Sequence, residues 1–342
     1  TDDDWVFGTG WTHESDLQEA VAAAATGNTT KPITIINGQT YRVRTIIREI
    51  TAGSIAVTIG GFTSASYSIA GEYEEEFVCS GSPTDIVIAP TTFSGNVESF
   101  HITPIVPGNG DILGACIYRG DTYAFRNNAG DTAAVMHKAS ATGWQSVDLG
   151  SYIKFKNGKV EFTLGDTLTG FSSGATGVIE DFHIISGSWA SNNATGYIAL
   201  SGVTGSPFTD SEKITDAGSG DADADGIDVT NTLTAGGRYE FVVDNIFGTV
   251  GHSSMFFVNG VGDAYEYQGN GYSGALPLEH GVDANPIHIG QYEKHIMLGF
   301  DEGAFVFSET GKPLGWSATL TAGIYSVGDK VNGFKTLPSA FL

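Results

Sequence analysis

The sequence predicts an all-β protein: an N-terminal jelly-roll sandwich followed by β-propeller-type blades, interrupted by a small inserted β-barrel. Three observations carry this. A short unit occurs three times, at 112–126 (ILGACIYRGDTYAFR), 253–268 (SSMFFVNGVGDAYEYQ) and 294–308 (KHIMLGFDEGAFVFS). Each copy joins an apolar strand, a tight turn containing Gly and an alternating strand rich in aromatics; Gly supplies the positive φ that hairpin turns need. The last two copies lie about 41 residues apart, the length of one four-stranded blade, but the first two lie about 141 apart. Finally, 47 Gly, 11% aromatics and few helical patterns in 342 residues favour strands joined by many turns.

The charge balance is 16 − 39 = −23. Such a surface argues against sequence-specific nucleic acid binding, which needs Lys and Arg to neutralise phosphates. It suits solubility, cation binding or a wall that repels DNA. Cys79 and Cys116 fall in different expected domains, so no disulfide framework is predicted. No apolar run reaches the length of a membrane span, and no signal-peptide pattern is present. Three blades do not close a propeller, which takes about four to eight, so the blades are expected to continue beyond Leu342.

In the first domain, 1–106, one stretch has helix propensity: 13–25, HESDLQEAVAAAA. The rest reads as strands at 33–36, 40–47, 54–60, 74–80, 85–90 and 97–105, separated by Gly, Ser, Asn and Pro. This spacing points to a sandwich or jelly roll. The phrases GTGWT (8–12), NGQTYRVR (37–44), TAGSIAVTIGG (51–61) and FSGNVESFHITPI (93–105) resemble jelly-roll domains related to carbohydrate-binding modules in phage structural proteins. That resemblance implies a strand at 18–25, against its propensity, and we follow it. It also raises glycan binding, for which Trp5, Trp11, Phe62, Tyr67 and Tyr73 are the candidate platforms. The competing reading, favoured because Trp is highly buried on average, is that Trp5 and Trp11 fill the core.

A first blade is expected at 107–150. Between 151 and 234 the composition changes, and short strands alternate with Gly-Ser turns, as in a small antiparallel barrel. The segments 169–179 and 186–214 resemble a small β module that recurs in phage virion proteins. As an insertion at a loop, 151–234 is expected to be removable without unfolding the blades. Gly170-Phe171-Ser172-Ser173-Gly174 matches a nucleophile-elbow pattern but lacks the following helix, so it reads as a turn. Asp221-Ala222-Asp223-Ala224-Asp225-Gly226 has the opening spacing of a calcium loop, which makes Asp221, Asp223 and Asp225 candidate Ca2+ ligands, with Asp216 or Asp228 able to add an oxygen. Thr232 stands where a bidentate Glu is required, so a solvated acidic loop is the preferred reading and any affinity is expected to be weak.

Further blades are expected from 235 to 342. The segment 269–274 matches a dinucleotide fingerprint without its helix and reads as a loop. The eight His show no zinc spacing; His288 and His295, flanking consecutive strands, are read as structural. The segments 110–128, 236–248 and 294–316 resemble propeller proteins of tailed phages, including tail-nozzle components. The resemblance implies a structural protein of a phage or phage-like virion, in a tail, nozzle or tail tip. There it would form a homo-oligomeric, symmetric ring around a DNA conduit, in contact with other virion proteins and without enzymatic chemistry. The alternative is a glycan-binding host-recognition module on the virion surface.

Overall fold

The computed structural model of the chain describes residues 4–14, 19–246, 253–269 and 274–335. Among them all regular structure is strand, apart from two single 3-10 turns at Trp189–Ser191 and Ala318–Leu320. The chain divides into two units, Thr1–Pro107 with Ala139–Gln145, and Gly108–Lys138 with Ser146–Leu342.

The first unit holds a seven-stranded sheet: β1 (Trp11–Glu14), β2 (Glu19–Ala25), β3 (Thr29–Pro32), β4 (Thr40–Ile59), β5 (Phe62–Thr63), β6 (Gly71–Val78) and β7 (Asp85–Pro104). The Ala-rich segment is β2, as the resemblance implied; residues 15–18 lie outside the described residues. Pairing overrides propensity here because small side chains are needed where backbones close in. Ala22 sits opposite Gly95, and a Cβ on Gly10 would lie 2.6 Å from Ala25 Cα.

The sequence divided β4 and β7 into two strands each. Both are continuous over 20 residues and pair with each other through four register shifts. Bulges of this kind bend a strand without ending it. Gly53 marks one, with φ 71° and no room for a Cβ against the carbonyls of Thr91 and Thr92. Both halves of β4, from Tyr41 and Val43 to Val57 and Ile59, enter one core with Trp11, Phe77, Ile88 and Phe93.

The second unit contains three four-stranded antiparallel sheets and a barrel. The sheets are β8 (Asn109–Tyr118) to β9 (Asp121–Asn127), β10 (Ala134–Ser140) and β11 (Gly143–Ser146), whose distal hairpin is counted with the first unit. Then, after the barrel strands β12 (Ser151–Val160), β13 (Thr167–Gly170), β14 (Thr176–Ser186), β15 (Ala194–Thr204), β16 (Lys213–Thr215), β17 (Asp221–Ala224) and β18 (Val229–Thr230), come the other two. These are β19 (Glu240–Asp244), β20 (Ser254–Val258), β21 (Tyr265–Tyr267) and β22 (Ala275–Pro277), and β23 (His288–Tyr292), β24 (His295–Gly299), β25 (Ala304–Phe307) and β26 (Gly323–Ser326).

Strands β12 to β17 close on themselves through the β12–β15 pair, and β18 lies beside β12. The three open sheets pack face to face. Phe125 of the first stacks on Tyr239 at 4.1 Å and meets Phe257 of the second. Phe256 and Val258 of the second share a core with Ile296, Leu298 and Val306 of the third. Their opening strands β8, β19 and β23 are neighbours in that order.

The three repeated hairpins are not in phase. The first copy is β8–β9, strands one and two of its sheet, whereas the others are β20–β21 and β24–β25, strands two and three. Counted from opening strands, the spacings become regular. Glu240 to His288 is 288 − 240 = 48 residues, and Asn109 to Glu240 less the insertion is 131 − 84 = 47.

The barrel is tied to the second open sheet. Tyr197 and Ala199 join the core of Phe256, Leu276 and Leu278. The Asn231 side chain donates to the carbonyls of Leu149 and Ala275, at 2.9 and 2.8 Å. Removing 151–234 would therefore strip cover from Leu276, a consequence that the break in spacing does not reveal.

Candidate functional site

The five aromatics do not form a platform. Trp11 is buried and stacks on Phe93 at 5.5 Å. Tyr67 is buried too, stacks on Tyr73 at 4.0 Å, and burial pushes its phenol up to about 12. Phe62 lies on Phe77 at 4.9 Å, and the Tyr73 hydroxyl donates to the Ile69 carbonyl. Trp5 is half-buried against the same core, beneath the Lys31 ammonium, beside a cleft of about 60 Å³ that it shares with Phe7, His13 and Phe100.

A larger cleft of the first unit, about 570 Å³, has a different lining: Ile33 to Ile36, Tyr41, Pro104 and the 139–144 hairpin with half-buried Trp144. No charged side chain lines it. Trp144 is held by its backbone N–H, which donates to Gln39 Oε1 at 3.0 Å.

The acidic run is not a calcium loop, and this corrects both readings of it. Asp221 to Ala224 form barrel strand β17, with Ala222 and Ala224 fully buried inside. Alternation then turns Asp221 and Asp223 to the other face, where neighbouring strands supply cations. Lys213 reaches Asp221 at 3.0 Å, Lys156 reaches Asp225 at 2.9 Å, and Asn157 donates to Asp223 at 3.0 Å. Asp216 accepts from the N–H groups of Thr163 and Gly220, and Asp228 from that of Phe208, so neither is spare. Among the described residues no group of three His, Cys, Asp or Glu could hold a metal ion. Calcium titrated into the wild type and an Asp223→Ala, Asp225→Ala double variant is expected to give indistinguishable isotherms. A saturating heat in the wild type alone would restore the metal site.

The Gly170–Gly174 turn is occupied by the chain itself. Its N–H groups at Ser172 and Ser173 converge on the Glu212 carboxylate, at 2.8 and 2.9 Å. The Ser173 hydroxyl at 2.8 Å and the Thr209 N–H at 2.7 Å complete four bonds. A Cβ on Gly170 would lie 2.7 Å from Glu212 Oε1, which is why Gly stands there. Burial alone would raise the Glu212 pKa, but these donors hold it below the usual carboxylate range. The turn is a backbone anion nest filled by a structural carboxylate.

A second buried polar cluster joins barrel and sheet. His183 Nε2 of β14 lies 2.8 Å from Asp181 and 3.8 Å from Glu266 of β21. Ser254 donates to the other Glu266 oxygen at 2.7 Å. Burial would lower the His183 pKa, but Glu266 and Asp181 raise it to about 8. Neither His183 nor Glu266 carries a motif that could have marked it in the sequence.

His288 and His295 are both hydrogen-bonded within the fold. His288 Nδ1 lies 3.0 Å from both Glu240 oxygens, which links β19 to β23, and His295 is bonded to Ser308 and Thr310. The 269–274 motif falls largely on 270–273, outside the described residues. No protein-family model matches the chain, and no curated protein matches it.

Proposed function

We propose that the chain is a structural component of a phage or phage-like virion, in the tail, nozzle or tail tip. It acts as part of a symmetric homo-oligomeric ring around a DNA conduit, held by other virion proteins and without chemistry of its own. One observation supports the reading: three four-stranded sheets packed face to face with β8, β19 and β23 in succession, as consecutive propeller blades would be. The bent seven-stranded sheet is then the jelly roll. The polar groups that look reactive in the sequence support the same view, because the geometry engages them in turns and joints. Glu212 fills a turn, and Asp221 and Asp225 meet lysines. A net charge of −23 suits a wall past which DNA slides without sticking.

Electron microscopy of the purified assembly tests this. Class averages with rotational symmetry and a central opening are the expected result, and particles without rotational symmetry at every concentration would overturn the ring. The alternative, a glycan-recognition module, draws on the uncharged cleft at Trp144 rather than on the five aromatics. Its signature would be a saturable change in Trp144 fluorescence with a soluble surface oligosaccharide.

A further inference from the structure

We infer that the outer edge of the last sheet, β26 with the residues beside it, is the surface on which a second copy of this chain docks. This rests on the ring reading and assigns it a contact. Among the described residues β26 pairs only with β25, so the other side of its backbone offers free N–H and C=O groups. Leu320, Ile324, Tyr325 and Val327 are 48%, 61%, 58% and 55% exposed. Natural edge strands are usually protected by Lys, Pro or an inward charge. The run 320–327, LTAGIYSV, has none of these.

The preceding sheet shows what such an edge receives. Its last strand, β22, is buried beneath the barrel, and the Ala275 N–H donates to the Leu149 carbonyl at 2.9 Å. The last strand of the next sheet presents the same kind of edge with no module across it among the described residues. The Tyr325 ring is already held, stacked on Phe305 at 5.4 Å and on Phe307 at 5.8 Å. A fixed aromatic loses little entropy when it becomes an anchor.

Charge selects the occupant. Two chains of −23 repel over most of their surfaces, so they meet at least cost where neither carries charge. The 320–327 stretch is such a place. A basic partner would gain nothing there and would be drawn instead to the acidic remainder.

The test is sedimentation of the full chain across about 1–100 μM, the range in which a weak subunit contact titrates. The wild type is compared with an Ile324→Lys, Val327→Lys variant, whose changes fall on exposed side chains and should leave the melting temperature unmoved. The expected result is association of the wild type, strengthened by added salt as the repulsion is screened, and at least about tenfold weaker in the variant. A wild type that stays monomeric overturns the inference, as does association that the lysines leave unchanged. A ring insensitive to the lysines overturns this surface and spares the ring. A closed pair that the lysines dissolve does the reverse.

Discussion

Glu212→Ala is expected to destabilise the protein by about 2–3 kcal/mol. The carboxylate is the common acceptor for Ser172, Ser173 and Thr209. Removing it takes the shared acceptor from three N–H groups at once. Ser172 and Thr209 are exposed and Ser173 is half-buried, so water replaces part of what is lost, and the net cost is that of hydrogen bonds to a charged group, about 1.5–3 kcal/mol. Glu212→Gln keeps the shape but turns an amide N–H2 toward those donors, so it should recover only part of the loss. The pH dependence has a definite sign. A carboxyl whose folded pKa is depressed contributes stability that is present above the unfolded value of about 4.3 and disappears as pH falls through the folded value. Chemical denaturation of the three proteins between about pH 3 and 6 should show the wild type converging on Glu212→Gln at the acid end. Hydrogen exchange localises the effect: protection at Ser172, Ser173 and Thr209 should fall in both variants. Unchanged protection there would mean that the nest is held by something other than this carboxylate.

The strands were legible because alternation and turn residues are local. The all-β class, the barrel position and the strand at Glu19–Ala25 follow from that, the last through resemblance rather than propensity. Where β4 and β7 continue was not legible. Gly53 and Gly95 look like turn residues in a sequence, and whether a Gly ends a strand or bends it depends on the partner strand across from it. The phase of the repeats was lost for a related reason. A hairpin looks alike whether it supplies strands one and two of a sheet or two and three, and only pairing with β10 or β19 tells them apart.

The acidic residues show what spacing leaves open. Asp221-Ala222-Asp223-Ala224 satisfies a calcium-loop opening and a half-buried strand equally well, since both place alternate side chains together. The strand wins because the closed barrel needs small side chains inside, which Ala222 and Ala224 supply, and because cations reach the acidic face from neighbouring strands, Lys213 from the preceding β16 and Lys156 from β12, far off in sequence. Glu266 was hidden by the same kind of distance. In Tyr265-Glu266-Tyr267, period two assigns the tyrosines inward and Glu266 to solvent. The barrel covers that second face, so all three residues are buried. A sheet covered on both sides cannot be told from a one-sided sheet by its own residues.

That burial sets the second large effect. His183→Ala is expected to cost up to about 3–5 kcal/mol: burial raises the Glu266 carboxyl pKa and His183 opposes that rise, so without it Glu266, 2% exposed, must bury its charge alone or take up a proton. The same joint should loosen in base. His183 is raised from 6.5 to about 8 by Glu266 and Asp181 against the opposing pull of burial. A histidine whose folded pKa is raised contributes stability that is complete below the unfolded pKa and is lost as pH rises through the folded one. The window is therefore about pH 6.5 to 8, and a shift of that size is worth about 2 kcal/mol. Glu266→Gln removes one of the two attractions, leaves Asp181 alone against burial, and should flatten the profile over that window. Urea unfolding of wild type and Glu266→Gln from about pH 6 to 9 measures both curves. Parallel curves would show that His183 does not carry its proton across the joint between β14 and β21, and the assignment of a charged pair there would fail.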